Sequence, residues 1–178
     1  MKEMSLNLKV IKSDGNLIFT GAPRQYRADC KLGIFKIGAV ENPDAPMKKL
    51  KLEVIAAKLV SGCFFGYKLT TWGVIIFADE QRVVSSLMLK GESLDNFKEI
   101  FNQAAERGIL LSAYQINGRF SQRVNSRGDK FFAVEFSLGE KGKFTAEIEK
   151  FQEEMSDTVF EELVEIEPKK KEQEALNA

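Results

Sequence analysis

The chain of 178 residues is 44% hydrophobic and 29% charged, the balance of a globular protein long enough to bury one sizeable core. Lys plus Arg and Asp plus Glu both number 26, and there is no histidine, which excludes Ser-His and Cys-His nucleophile pairs and removes the commonest metal ligand. No apolar run reaches the roughly 18 residues of a membrane span, and Cys30 and Cys63 have neither metal-site spacing nor a disulfide framework around them.

The expectation is therefore a cytoplasmic protein with reduced thiols, no cofactor and no catalytic role. MKEMSLNLKV lacks the apolar core and cleavage site of a secretory signal. GEKGK at 139–143 lacks the spacing of a phosphate-cradling loop.

In chain order, Leu6, Leu8 and Val10 alternate with polar residues, Asp14-Gly15 marks a turn, and Leu17 to Thr20 return, which predicts an N-terminal hairpin. GAPRQYRAD reads as an irregular link, CKLGIFKIGA as a strand and ENPDAP at 41–46 as a loop. From Lys49 to Val60 a strand is expected with Leu50, Leu52 and Val54 on one face and Lys49, Lys51 and Glu53 on the other. GCFFG at 62–66 should bend the chain, TTWGVIIFADE reads as a central strand, and RVVSSLMLK as its neighbour.

A helix is predicted from Leu94 to Arg107, with Ser93 as its N-cap, Gly108 beyond its end, and Leu94, Phe97, Ile100, Phe101, Ala104 and Ala105 as its core stripe. GILLSAYQI and RFSQRV flank Asn117-Gly118, the strongest short hairpin signal in the chain, and SRGD at 126–129 makes the next turn before KFFAVEFSL. Thr145 caps a second helix bearing Ile148, Phe151 and Met155 on one side, ahead of an acidic tail.

The zero net charge hides two halves. Residues 1–143 hold 22 Lys and Arg against 15 Asp and Glu, and residues 144–178 hold 4 against 11. A cationic body with an anionic appendage points towards nucleic acid, although a solvated helix and a tail would have the same composition. The expected division is a β-rich nucleic-acid-binding domain over 1–143 and an acidic helix and tail over 144–178.

Three stretches carry the candidate contacts. NGRFSQRVNSRGDKFF places Arg119, Arg123, Arg127 and Lys130 around one hairpin, offset within the stretch only by Asp129. Arginine forks suit phosphate oxygens and stack on bases, whereas a merely solvated strand would use the same charges against edge pairing. GCFFGYKLTTW offers Phe64, Phe65, Tyr67 and Trp72 between and beyond two glycines, with Lys68 beside Tyr67. Such rings can stack on bases, but Trp72 continues into the apolar Val74 and Ile76 and so also reads as core. Phe35, Lys36, Lys49 and Lys51 complete the set, the lysines reading as a solvated face or as one wall of a groove.

Five strands with a helix between the third and fourth, at about 49–60, 70–79, 82–90, 110–124 and 130–138, give the central ninety residues an order that resembles single-stranded-DNA-binding proteins of the OB type. The resemblance implies an OB-like antiparallel barrel, here with an N-terminal hairpin, one central helix and one C-terminal helix. It implies binding of single strands, DNA favoured, with little sequence preference, in the service of replication or recombination. It leaves room for a protein partner at the acidic tail and for a homo-oligomer, and it implies no membrane. The Pur-alpha and whirly single-strand binders, with a helix after four strands, are the fold alternative. The competing function is a protein-interaction or assembly module with no affinity for nucleic acid.

Overall fold

The structure, a computed structural model, describes residues 16–19, 21–38 and 46–154. Among these residues seven strands form one curled sheet: β1 (Arg24–Asp29), β2 (Ile34–Ile37), β3 (Lys49–Gly62), β4 (Thr70–Ala78), β5 (Val84–Leu89), β6 (Tyr114–Val124) and β7 (Lys130–Lys141). Their spatial order is β2-β1-β5-β4-β3-β6-β7. Helix α1 (Gly91–Glu106) connects β5 to β6, and α2 (Thr145–Glu154) follows β7. The fold is mainly β with two helices, and the sheet curls into a half-barrel. It is mixed, because β1 lies parallel to β5 while the other paired strands are antiparallel.

The curl originates in β3. Its first four residues pair with β6, from Lys49 opposite Arg119 to Leu52 opposite Ile116, and the rest pairs with β4 from Glu53 onward. A register shift between Val54 and Ala56 lies just inside the β4 pairing, and such a bulge bends its strand and increases the twist. Successive side chains of β3 point to opposite faces and so enter different cores. Leu50, Leu52 and Val54 join Ile75, Phe77, Leu87, Ile116, Val134 and the α1 side chains Leu94 and Phe97. Ile55 instead joins Leu17, Val74, Ile76, Phe144 and Ile148 on the opposite face. Helix α1 thus covers one face of the sheet, and α2 covers the other together with residues around Leu17.

Several expectations change. GAPRQYRAD is not an irregular link, since Arg24–Asp29 forms β1, with Tyr26 buried and Ala28 packed on the first core while Arg27 is exposed. Among the described residues of CKLGIFKIGA only Ile34–Ile37 is strand, because Lys31 to Gly33 make a turn whose Gly33 has φ +67°. The predicted strand at Leu6–Val10 and the Asp14-Gly15 turn lie outside the described residues, whereas Ile18 makes a parallel bridge to Val83.

Asn117-Gly118 makes no hairpin, because β6 runs through it and Gly118 pairs with Leu50 on one side and Phe136 on the other. Gly118 is not among the positive-φ glycines, and a Cβ there would lie 3.2 Å from the Phe136 ring. The residue is small to admit that ring. The β6–β7 turn is at Asn125–Asp129, where the Asn125 side chain accepts the Arg127 and Asp129 amides.

Helix α1 begins at Gly91 with Lys90 as N-cap, so Ser93 lies inside its first turn. The Ser93 Oγ accepts the Val134 N–H at 2.9 Å, and the Val134 carbonyl accepts from Asn96 Nδ2. Phe132 N–H donates to the Cys30 carbonyl at 2.8 Å, so α1 and the β1–β2 turn shield the free edge of β7. Gly108, with φ +65°, follows the C-cap Arg107 as expected. Phe97 is buried but Phe101 is 51% exposed, so the core stripe is narrower than its spacing suggested.

Glu53, expected on the solvated face, is 2% exposed. Its carboxylate accepts the amides of Lys143 at 2.7 Å and Phe144 at 2.9 Å, and Gln115 Nε2 donates to it. Glu53 therefore satisfies donors at the entry to α2. Thr145, expected as that helix's cap, is its first helical residue. Ile148 and Phe151 face the second core, and Met155 lies outside the described residues. None of the described helices is long and apolar enough to cross a membrane.

Candidate nucleic-acid interface

The β6–β7 hairpin brings its four cations onto one arm, but two of them already have acidic partners. Arg123 donates to Glu92 at 2.6 Å and to Glu135 at 2.8 Å, and Arg119 reaches Glu135 at 3.2 Å. Arg123 is held above the usual guanidinium value, chiefly by Glu135 and then by Glu92. Glu135 sits below the usual carboxylate value, chiefly through Arg123. The sequence balance of four cations against Asp129 alone thus changes once Glu92 from α1 and Glu135 across the ladder are counted. Arg127 and Lys130 stand exposed at the tip. Lys49, opposite Arg119, is exposed, and Lys51 lies 3.8 Å from Glu80.

Phe35 leaves the candidate surface. It is 3% exposed and packs on Phe120 with ring centroids 4.6 Å apart, inside the first core. Lys36, its neighbour, pairs with Asp29 at 2.6 Å. Burial raises the Asp29 carboxyl, but Lys36 and the amides of Leu32 and Lys31 outweigh it and leave the group below its ordinary value.

The aromatic loop is a built cluster. After Gly62 ends β3 the chain folds back, with Tyr67 N–H donating to the Phe64 carbonyl at 3.0 Å. Phe65 takes φ +54°, a left-handed conformation that is rare and strained for an aromatic residue. Trp72 on β4 is 4% exposed and meets the edges of Phe64, Phe65 and Tyr67 at centroid distances of 6.0, 5.5 and 5.8 Å. Trp72 is therefore the buried base of the cluster, whereas Phe65 and Tyr67 are 44% and 49% exposed. Lys68 beside them is also exposed.

Two cations that the sequence reading missed complete this cluster. Arg27 on β1 places its Cζ 4.5 Å from the Phe65 ring centroid. Lys90, at the junction of β5 and α1, lies 2.9 Å from the Tyr67 centroid and 5.5 Å from that of Trp72. Such pairs place a positive charge against the electron-rich ring face. The available signal was the alternation of Arg27 with Tyr26 and Ala28, which marks an outward strand position. The glycine and proline of GAPRQYRAD mask that signal by giving the stretch the composition of a link.

Beside the stacks lies a cavity of about 410 Å³ whose wall includes Arg27, Lys31, Lys36 and Lys90, one carboxylate in Asp29, and the rings of Phe65, Tyr67 and Trp72. Cys30 also contributes, and burial pushes its thiol up, so it is protonated near neutral pH. The arrangement can accept an anion and present ring faces to a planar group. No family model, curated protein or solved structure matches this chain.

Proposed function

We propose that this protein binds single-stranded nucleic acid with little sequence preference, DNA in preference to RNA, through the loop at 63–69 and the cations around it. The observation that carries the reading is the pair of exposed rings, Phe65 and Tyr67, each with a cation on its face, Arg27 and Lys90. Bases stack on exposed aromatics irrespective of sequence, and arginine and lysine neutralise phosphates. On binding, a base takes the ring face and the displaced cation moves to the backbone. Arg127 and Lys130 at the hairpin tip supply further charge.

The element order supports the reading. Strands β3 to β7, with α1 between the third and fourth of the five, follow the order of an OB-type barrel, and we read the half-barrel as a variant in which β1 lies at the β5 edge. The role is binding rather than catalysis, in replication or recombination.

The test is fluorescence anisotropy of a labelled mixed-sequence strand of roughly 15 bases titrated with the full chain at two salt concentrations, with duplex as competitor. Salt-sensitive binding that prefers the single strand is expected. No binding at micromolar protein and low salt overturns the proposal and favours a protein-interaction module.

A further inference from the structure

We propose that the 410 Å³ cavity seats the terminal nucleotide of a strand, with its phosphomonoester against Arg27, Lys31 and Lys90 and its base among Phe65, Tyr67 and Trp72. The inference rests on the single-strand reading and adds the part of the strand that this site takes.

Size is the first argument. A concave pocket of this volume falls in the range of small-ligand sites, about 300–1,000 Å³, and holds a single nucleotide unit rather than a length of strand.

Charge is the second. Asp29 is the carboxylate of the wall, and Lys36 pairs with it at 2.6 Å. Arg27, Lys31 and Lys90 then face the same space with no second carboxylate in that wall. A phosphodiester brings one negative charge, whereas a phosphomonoester brings about 1.5 to 2 and three acceptor oxygens. Three cations in so small a space suit the monoester.

The third is the chemistry of the rings. Arg27 and Lys90 now cover Phe65 and Tyr67, so a ligand bearing both a phosphate and a base satisfies both halves of the exchange at once. Trp72, in the same wall, keeps a buried indole N–H without an acceptor, the sole such side-chain atom among the described residues. Buried donors ordinarily find a partner, and a nucleotide is rich in acceptors.

The experiment is competition anisotropy with the full chain, using strands of about ten bases that carry a 5′-phosphate, a 3′-phosphate or hydroxyls at both ends, together with a circular single strand and free nucleoside monophosphates. A phosphate at one end is expected to tighten binding about tenfold over the hydroxyl-ended strand. Lys31→Gln, at an exposed position, is expected to bring that ratio close to one with an unchanged circular dichroism spectrum. Equal binding of the circle and every linear strand overturns the terminal seat and leaves the single-strand reading standing. A free monophosphate that binds as tightly as the phosphorylated strand also overturns it, in favour of a nucleotide site. Failure of every strand to bind removes both proposals.

Discussion

Asp79 shows how much one carboxylate can organise. It accepts from Tyr26 Oη at 3.0 Å, Arg24 Nη1 at 3.2 Å, Ser85 Oγ at 3.3 Å and the amides of Gln81 and Val83. That joins β1 to the turn between β4 and β5. The Tyr26 phenol is pushed up to about 12, first by burial and then by the Asp79 charge and hydrogen bond. The unfolded phenol ionises near 10, so between these values the folded chain holds a proton that the unfolded chain has lost. Its contribution is full below about pH 10 and disappears as the pH rises through about 12, a change on the order of 2 kcal/mol. Tyr26→Phe should cost about 1 kcal/mol at neutral pH and flatten the alkaline loss. Urea unfolding of both proteins from about pH 8 to about pH 11 checks this, and parallel curves would contradict it.

Tyr67 tests binding where stability is hardly engaged, because half of its surface is open to solvent. Tyr67→Ala should weaken strand binding about tenfold, in line with one lost base stack, and leave the melting temperature nearly unchanged. Equal affinity would place the strand elsewhere. Tyr67 was legible as a candidate because two glycines and three other rings surround it. Its cation Lys90 was not, because the two lie 23 positions apart and meet only when β5 delivers the chain to α1.

Elements with strong internal signals were legible: Leu50/Leu52/Val54 in β3, the apolar run of β4, and the α1 stripe at Leu94 and Phe97. What escaped depends on partners distant in sequence. The lysines at 49 and 51 made Glu53 look solvated, but its partners are the amides of Lys143 and Phe144 at the start of α2. Asn117-Gly118 suited a turn locally, but β6 is held straight by β3 on one side and β7 on the other. Glu53→Ala should therefore act on α2 rather than on β3. It strands two backbone donors and Gln115 Nε2, and a cost of about 3 kcal/mol is expected. Hydrogen exchange should show the α2 amides opening first, and uniform loosening across the sheet would contradict this account.

Across the whole molecule, charge is divided along the chain, and this was legible in the counts alone. The candidate interface was legible only in part. The hairpin cations look like an unbroken ridge in sequence, but Glu92 and Glu135 answer Arg119 and Arg123, and Arg127, Lys130, Arg27 and Lys90 are candidate cations with no carboxylate in ion-pair range among the described residues. Residues 155–178 carry 7 acidic side chains against 3 lysines, so their field opposes an incoming phosphate backbone at low salt. Replacing Glu161, Glu162, Glu165 and Glu167 with Gln in the full chain raises its net charge from zero to +4. Binding to a single strand should tighten several-fold at low salt, and the advantage should fade as the Debye length shrinks from about 30 Å at 0.01 M to about 8 Å at physiological ionic strength. Binding at three salt concentrations separates the outcomes. A gain confined to low salt reflects the long-range field, a gain that persists at high salt reflects release of a direct contact with the site, and no gain at any salt removes the acidic segment from the binding mechanism.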